Sequence, residues 1–230
     1  GSGHRLLPHE VNYRANLYAL KRAGATMVLA FSAVGSLALH IEPGHFALPG
    51  QYFDWTKGGR ERTYFGSGVA AHVSTAEPVS AAMVHWVAAG AAHLGLSLHR
   101  DLTYACVEGP RLGTRAESHF LRGAGCHLVG MTNVPEAFLA REAQLGYATI
   151  GLVTDYDCWL DDPAHHVTVA AIFERYGRTL EQALALLVHL VNQPLPEVEA
   201  STRSALQGAL MSRPEDLSDA QRAWLEVLQR

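Results

Sequence analysis

Residues 130–159 read GMTNVPEAFLAREAQLGYATIGLVTDYDCW, and the pattern within them decides the fold. The stretch opens on the end of an apolar run at Met131–Thr132, which predicts a strand exit. A helical pattern follows over residues 135–144, and an apolar run that favours β-structure then covers residues 147–154. Strand, helix and strand in this order form the repeating unit of α/β proteins, so we expect the rest of the chain to be organised around it.

Two carboxylates, Asp155 and Asp157, stand directly after the second strand of this unit, beside Trp159. Ligands of open α/β sheets bind beyond the carboxyl ends of the strands, so the acids mark a candidate site. Two acids one residue apart are also common as helix caps or surface residues. We expect Trp159 to contribute packing and not chemistry.

The remainder of the chain alternates between strand and helix patterns. Strands are predicted at residues 26–34, 102–107 and 126–129, and helices at residues 11–23, 78–96, 114–122, 167–191, 197–211 and 218–228. Residues 41–56 contain two Pro-Gly pairs and predict turns with short strands, whereas residues 57–63 predict a polar loop.

Helix starts are marked by Thr114, with Glu117 three residues later, and by Ser218, which are predicted N-caps. The alternation predicts one α/β domain over residues 1–230, in which a mixed twisted sheet is flanked by helices. Helices from about residue 195 onward are expected to close the C-terminal end of that domain.

The composition fits a globular protein with a sizeable core, since 48% of the 230 residues are hydrophobic and 17% are charged. The net charge of −4 comes without a basic stripe, which argues against a nucleic-acid partner. No apolar run is long enough for a membrane helix, and the first residues hold no secretory signal. The three cysteines lack metal-ligand spacing and predict free thiols of a reducing, cytoplasmic compartment.

Small residues, SAVGS at positions 32–36, follow the first predicted strand. Their size lets backbone N–H groups approach an anion closely, which indicates an anion-binding strand exit. The same residues would also suit a plain tight turn out of a strand.

The thirteen histidines predict no metal site. His165 and His166 are adjacent, so their side chains point apart. His85, His93 and His189 lie in helical patterns and are expected on the surface or as satisfied core residues.

Seven segments carry a family resemblance: VNYRANLYALK (11–21), SAVGSL (32–37), AEP (76–78), EGPR (108–111), TRAES (114–118), VGMTNVPEAFLAREA (129–143) and TDYDCW (154–159). Taken together, they resemble the 5′-methylthioadenosine phosphorylases, which belong to the trimeric purine nucleoside phosphorylase family. The similarity extends from about residue 1 to about residue 191. It implies a nucleoside-phosphorylase-like fold and a homotrimer.

The resemblance also implies roles for individual residues. Ser32, Ala33 and Thr132 resemble the residues that bind phosphate. Asp155 resembles the acid that faces purine N7 and the exocyclic amine, and Asp157 resembles its support; these two are the implied catalytic residues.

The sugar and the base would meet a further set of residues. Met131 resembles the residue that packs against the ribose, and His72 resembles a histidine that reaches the 5′ end of the sugar in the neighbouring subunit. Val169 and Ile172 resemble apolar positions near the methylthio group. The other implied contacts to sugar and purine are Val34, Gly35, Leu112 and Gly113.

The implied reaction is phosphorolysis of 5′-methylthioadenosine to adenine and 5-methylthioribose 1-phosphate, in purine and methionine salvage. Inorganic phosphate is the co-substrate, and no cofactor or metal is implied. The departing purine anion leaves more easily when a carboxylic acid of raised pKa donates to N7. Fixed hydroxyl and amide donors would hold the phosphate below C1′.

Three other functions stay open at this point. The first is a phosphorylase of 6-oxopurine nucleosides such as inosine, guanosine or methylthioinosine, against which a carboxylate at Asp155 argues because it favours a 6-amino group. The second is a nucleosidase, which would use water, whereas Ser32 and Thr132 favour phosphate. The third is a non-catalytic, truncated paralogue that acts as a binding subunit.

The sequence departs from the family pattern in three places. In the family a strand, a glycine-rich phosphate loop and an Arg-His pair precede the residue that matches Gly1, so a chain that truly begins here is expected to bind phosphate poorly. Leu112 and Gly113 stand where the family has Phe-Ser, which removes an aromatic face and a hydroxyl from the base pocket. His45 and Gly50 stand at two positions where the family is acidic.

Overall fold

Five β-strands close into a barrel in the part of the chain that the structure describes. The structure, a computed structural model, describes residues 3–160 and 169–230, and it describes no side chain between 161 and 175 or at 178. The strand order around the barrel is β1-β4-β3-β2-β5. The strands are β1 (Met27–Ser36), β2 (Phe46–Trp55), β3 (Leu98–Val107), β4 (Leu128–Gly130) and β5 (Gly146–Asp155).

The barrel is mixed in strand direction. β1 pairs with β5, β2 with β3, and β3 with β4 in parallel, whereas the β1–β4 and β2–β5 pairs are antiparallel. β5 lies between β1 and β2 and is buried at every position before Asp155, which explains its unbroken apolar run. This arrangement confirms the predicted fold class, and closure of the sheet into a barrel goes beyond that prediction.

Helices cover the outside of the barrel. In the described residues they are α1 (Tyr13–Arg22), α2 (Ala81–His93), α3 (Arg115–Gly123), α4 (Asn133–Glu142), α5 (Val169–Val191), α6 (Ala200–Arg203) and α7 (Asp219–Gln229). Helix α1 packs against α4 and α7, while α2 packs against α5. Short 3-10 helices occupy Pro8–Glu10 and Pro214–Asp216.

Both predicted N-caps are confirmed. The Thr114 hydroxyl accepts from the Glu117 N–H, and the Glu117 carboxylate accepts from the Thr114 N–H, which completes a capping box at the start of α3. Ser218 and Gln221 form the same reciprocal pair at the start of α7. These starts could be predicted because the signal lies within four consecutive residues.

Two local predictions were wrong. Within residues 41–56 the predicted turn at Pro43-Gly44 is present, but Phe46–Trp55 form one ten-residue strand, β2, where a second turn and short strands were predicted, because register shifts on either side of Pro49 let the ladder with β3 continue past the proline. The predicted helix at 197–211 shrinks to α6 of four residues followed by turns. Its apolar residues, Val198 and Leu206, are still buried, so the spacing indicated burial but not helix.

Candidate active site

The predicted phosphate residues come together where β4 ends beside β1. Antiparallel pairing matches Gly35 with Val129 and Ser36 with Leu128. No further β1–β4 pair follows in the described part of the chain, but the Ser32 side chain and the Thr132 backbone both lie close to the Tyr104 hydroxyl. Ala33 and Thr132 are exposed, whereas Ser32 is buried. Two segments that lie a hundred residues apart in the chain therefore approach each other where β4 ends.

Tyr104 of β3 lies beside these two segments and was missed by the sequence analysis. Its ring packs so closely on Gly130 that a Cβ there would lie 2.0 Å from the Tyr104 hydroxyl oxygen. Burial raises the pKa of Tyr104, and the Ser32 side chain and the Thr132 backbone are near enough to lower it in part. Neither makes a hydrogen bond of normal geometry, so the hydroxyl is buried without a partner in the described part of the chain.

The two acids lie on the other side of Gly35. A bulge between β1 and β5 pairs Gly35 with Asp155. A Cβ on Gly35 would lie 3.2 Å from Asp155 Oδ1 and 3.4 Å from the Asp157 Cβ, so glycine is what lets the strand pass this close to both acids.

Asp155 is oriented by its neighbours in sequence. The Thr154 hydroxyl donates to Asp155 Oδ2 at 2.6 Å, and the Asp157 N–H donates to Asp155 Oδ1 at 2.7 Å. Asp157 has a φ of 51°, a left-handed conformation that aspartate tolerates better than most residues. Asp157 thus supports Asp155 through its backbone, in addition to contributing a second carboxylate nearby.

The loop after β3 reaches the acid pair. A Cβ on Gly113 would lie 4.0 Å from Asp157 Oδ2, and the Gly113 carbonyl accepts from the Cys158 thiol at 3.4 Å. Leu112 is 47% exposed, so it is not packed into the core. Arg111 is tied to Glu117 by a two-pronged ion pair at 2.6 and 2.8 Å, which holds the pKa of Glu117 at about 2.

Met131 is flanked by Gly109 from the same loop. Gly109 has a φ of 68°, and a Cβ there would lie 2.5 Å from Met131 Sδ and 3.2 Å from Pro8 Cγ. The end of β3, the turn after β4 and the N-terminal segment therefore meet at Met131.

Four further predicted positions, Val34, His72, Val169 and Ile172, differ in what the structure shows of them. Val34 is 1% exposed in the barrel core, so only its backbone is available to a ligand. His72 is exposed and its N–H donates to the Ala209 carbonyl in the C-terminal segment. Val169 and Ile172 lie in the first turn of α5, where side chains are outside the described residues.

Trp159 packs as expected. Its indole N–H donates to the Ser36 carbonyl at 2.8 Å, and the Arg122 guanidinium lies 3.6 Å from the centre of its ring. His165 and His166 fall outside the described residues. Among the residues that are described, no group of three or more His, Cys, Asp or Glu side chains is arranged to hold a metal ion. Nor does any helix of this part have the length and apolarity to cross a membrane.

Comparison with known proteins places this geometry in a family. The family model described as the phosphorylase superfamily matches residues 2–190, a range that contains every predicted site residue. The chain belongs to the phosphorylase superfamily. The family relationship predicted from the seven segments is confirmed.

Relatives within the superfamily carry a more specific name. The chain is 44% identical over 212 residues to an S-methyl-5′-thioadenosine phosphorylase of Geobacter sulfurreducens, covering 92% of this chain and 74% of that protein. It is 46% identical over 220 residues to one of Rhodospirillum rubrum, with 94% and 74% covered.

Solved structures of the superfamily share the fold. A methylthioadenosine phosphorylase from an antarctic soil metagenomic library matches with a TM-score of 0.83 at 38% identity, covering 99% of this chain and 80% of that one. The methylthioadenosine phosphorylase of Schistosoma mansoni in complex with adenine matches with a TM-score of 0.85 at 32% identity, covering 92% and 82%.

Proposed function

We propose that the protein is a 5′-methylthioadenosine phosphorylase, an enzyme of pentosyl transfer. A phosphate oxygen forms a bond to C1′ of the nucleoside while the C1′–N9 bond breaks. The purine keeps the electron pair of that bond and takes up one proton, and the products are adenine and 5-methylthioribose 1-phosphate. The names and identities of the relatives support this substrate and this reaction.

One observation in the structure carries the proposal. The Ser32 side chain and the Thr132 backbone both lie near the Tyr104 hydroxyl, and Gly35, further along β1, abuts the acid pair. Gly35 is three residue steps along the strand from Ser32, which is about 10 Å at roughly 3.3 Å per residue. That span suits a purine at one end and a phosphate behind the sugar at the other.

Asp155 would serve the base. A carboxyl group facing the purine can hold a proton for N7 and accept from a 6-amino group, which stabilises the charge that develops on the leaving base. The donors from Thr154 and Asp157 occupy both of its oxygens on the protein side and fix the plane of the carboxyl group.

Thr132 and Ala33 would serve the phosphate. Thr132 is the N-cap of α4, yet its hydroxyl makes no capping hydrogen bond to that helix, and it is exposed. Val134 has a non-helical backbone (φ −114°, ψ 128°), so Thr132 belongs to an irregular segment before the regular turns of α4, and its exposed hydroxyl can donate to a phosphate oxygen. Ser32 would complete the set from the strand side.

The remaining features of the proposal concern the sugar and the assembly. Met131 would pack against the ribose, and His72 would reach the 5′ end of the sugar in a neighbouring subunit of a homotrimer. Val169 and Ile172 would line the methylthio group. We further propose that the chain forms one catalytic domain, acts in the cytoplasm, and uses phosphate as co-substrate without a metal or organic cofactor.

A second candidate is a phosphorylase of 6-oxopurine nucleosides. Leu112 and Gly113 themselves contribute neither an aromatic side chain nor a hydroxyl beside Asp157, since Leu112 is 47% exposed and Gly113 has no side chain. Without these two groups to fix it, the base could take a different orientation. Parallel assays with inosine and methylthioinosine separate the two candidates.

The test is release of adenine by the full-length protein from 5′-methylthioadenosine, with and without inorganic phosphate. The expected result is release that depends on phosphate and yields one sugar phosphate per adenine. Release that ignores phosphate would indicate a nucleosidase, and faster turnover of inosine would favour the second candidate. No turnover of any nucleoside would leave a non-catalytic binding protein.

A further inference from the structure

Arg60 is a buried cation in a segment that the sequence predicts to be a polar loop. Its side chain is 0% accessible, while that of its ion-pair partner Glu108 is 20% accessible. Burying a guanidinium is costly unless its donors are satisfied, so the groups that it meets indicate what the burial achieves.

The Arg60 guanidinium joins two chain segments next to the proposed site. One terminal nitrogen, Nη1, donates to the Met131 and Val134 carbonyls, each at 2.7 Å. The other, Nη2, donates to the Glu108 carbonyl at 2.9 Å, and Nε donates to Glu108 Oε1 at 3.2 Å. The segment that follows β3 and the turn of residues 131–134, which runs from the end of β4 into the first residues of α4, are thereby held to one rigid, planar group.

The two carbonyls in the second segment bracket Thr132 and Asn133. The Asn133 side chain donates into the barrel interior to the Thr149 hydroxyl. The turn is therefore fixed at both ends by Arg60 and in its middle by Asn133, whereas Thr132 is exposed. A turn held in this way presents the Thr132 hydroxyl in one position.

We propose that Arg60 is a positioning residue, which sets Met131 and Thr132 for the sugar and the phosphate without touching either substrate; this rests on the proposed function. A guanidinium is required because its planar fork spans several carbonyls at once, whereas an ammonium is a single point charge. Glu108 keeps the guanidinium in place and in turn accepts from the Lys57 N–H at 2.6 Å.

The experiment compares Arg60→Lys with Arg62→Lys in the full-length protein. Arg62 lies on the same loop and hydrogen-bonds Thr56, but no contact of its side chain reaches the 131–134 turn among the described residues. Arg60→Lys is expected to raise the KM for phosphate about tenfold, the size of one lost hydrogen bond to a charged group, with a smaller fall in kcat. Arg62→Lys is expected to leave both values within about twofold.

A purely structural role makes a different prediction. If Arg60→Lys lowers the melting temperature but leaves both KM values and kcat equal to those of Arg62→Lys, the positioning role is overturned. Glu108→Gln provides a second variant if Arg60→Lys does not fold. It retains an acceptor for Nε and all the carbonyl contacts, so it should raise the phosphate KM less than about threefold, and a rise as large as tenfold would assign the effect to the ion pair instead.

Hydrogen exchange separates failure of this proposal from failure of the proposed function. Amides of residues 131–134 should exchange faster in Arg60→Lys than in Arg62→Lys, whatever the enzyme acts on. A wild-type protein without phosphate-dependent release of adenine would overturn the function, and the exchange rates would still decide whether Arg60 holds the turn. Unchanged exchange in this segment would overturn the positioning role itself.

Discussion

The acid end and the phosphate end of the site are built in different ways. At the acid end, Asp155 takes its hydrogen bonds from Thr154 and Asp157, its near neighbours in the chain. At the proposed phosphate end, the Ser32 side chain and the Thr132 backbone approach each other from β1 and from the end of β4, beside the Tyr104 ring, and Arg60 binds the Met131 carbonyl from a further segment. The comparison teaches that one half of the site is held by local contacts and the other by contacts between distant parts of the chain.

The largest expected effect lies at the acid end. Asp155→Asn keeps the size of the side chain but removes the group that can hold a proton for N7. We expect kcat/KM for 5′-methylthioadenosine to fall about 10²- to 10⁴-fold, the usual contribution of general acid catalysis. Turnover of inosine should fall less, because an amide can donate to a 6-oxo group.

Steady-state kinetics on both nucleosides check this, with Asp219→Asn as the control, since Asp219 is exposed at the start of α7. An equal fall in kcat/KM for the two nucleosides would show that Asp155 does not select the base. Full activity in Asp155→Asn would show that the acid end, which local contacts hold in place, has no part in catalysis.

The next effect concerns the contact between Gly109 and Met131. Gly109→Ala and Gly95→Ala place a Cβ on backbone of nearly the same φ, 68° and 66°, and each should cost about 1–2 kcal/mol of unfolding free energy. Only the first meets an obstacle, the Met131 sulfur at 2.5 Å, whereas nothing lies within 4 Å of the second. Because that sulfur lies near the end of a flexible side chain, Met131 should move aside.

We therefore expect the nucleoside KM to rise several-fold in Gly109→Ala alone. Denaturant unfolding and nucleoside KM, measured on both variants, check this. If both variants lose the same stability and retain the same KM, Met131 does not contact the sugar.

A smaller effect is expected when pH changes the protonation of His99, which lies near the acid end, and thereby the stability of the fold. The His45 and His99 rings face each other with 3.0 Å between His45 Nδ1 and His99 Nε2, and the loop that carries His45 is hydrogen-bonded to Val153, two residues before Asp155. Burial, with help from His45 and His40, lowers the pKa of His99, while Glu42 opposes this. The folded state therefore resists protonation of His99 more than the unfolded state does.

Stability is expected to be fully present above the unfolded pKa of about 6.5 and to be lost progressively as the pH falls below it. Melting temperatures at pH 7.5 and 5.5 should fall less in His99→Asn than in the wild type. An identical fall in both proteins would show that His99 is not the group that titrates.

The smallest effect is expected from Tyr104→Phe. The hydroxyl is buried without a hydrogen-bond partner in the described residues, so its removal relieves a desolvation cost and should change stability by no more than about 1 kcal/mol. The phosphate KM should stay within about twofold. A tenfold rise would mean that the hydroxyl orders Ser32 or Thr132, and Tyr104 would then join Arg60 among the residues that position the phosphate.

The difference between local contacts and contacts between distant segments also explains how much of the structure could be predicted from the sequence. The caps at Thr114 and Ser218, the buried strand before Asp155 and the acid pair itself are all signalled within a few consecutive residues. Pro49 led to the wrong prediction of turns within β2. Whether a strand continues past a proline depends on its pairing with β3, which is not visible in the local sequence.

Arg60 could not have been identified from local pattern. It lies in a polar stretch, and its role depends on carbonyls about seventy residues further along the chain. A charged residue in a predicted loop is normally exposed to solvent, and only the fold shows that the Arg60 side chain is buried. The phosphate residues are predicted from the family resemblance, whereas the contacts of Arg60 become visible only in the fold.

The shortness of β4 has a consequence for how the barrel wall is closed. β4 contains three residues, and it pairs with β1 only at Gly35 and Ser36. Three more pairs, at Val34, Ala33 and Ser32, would be needed to extend the ladder to Ser32. Because the strand stops at Gly130, no β1–β4 pair covers these residues in the described part of the chain, and under the proposed function a phosphate would bind beside the strand edge that is left there.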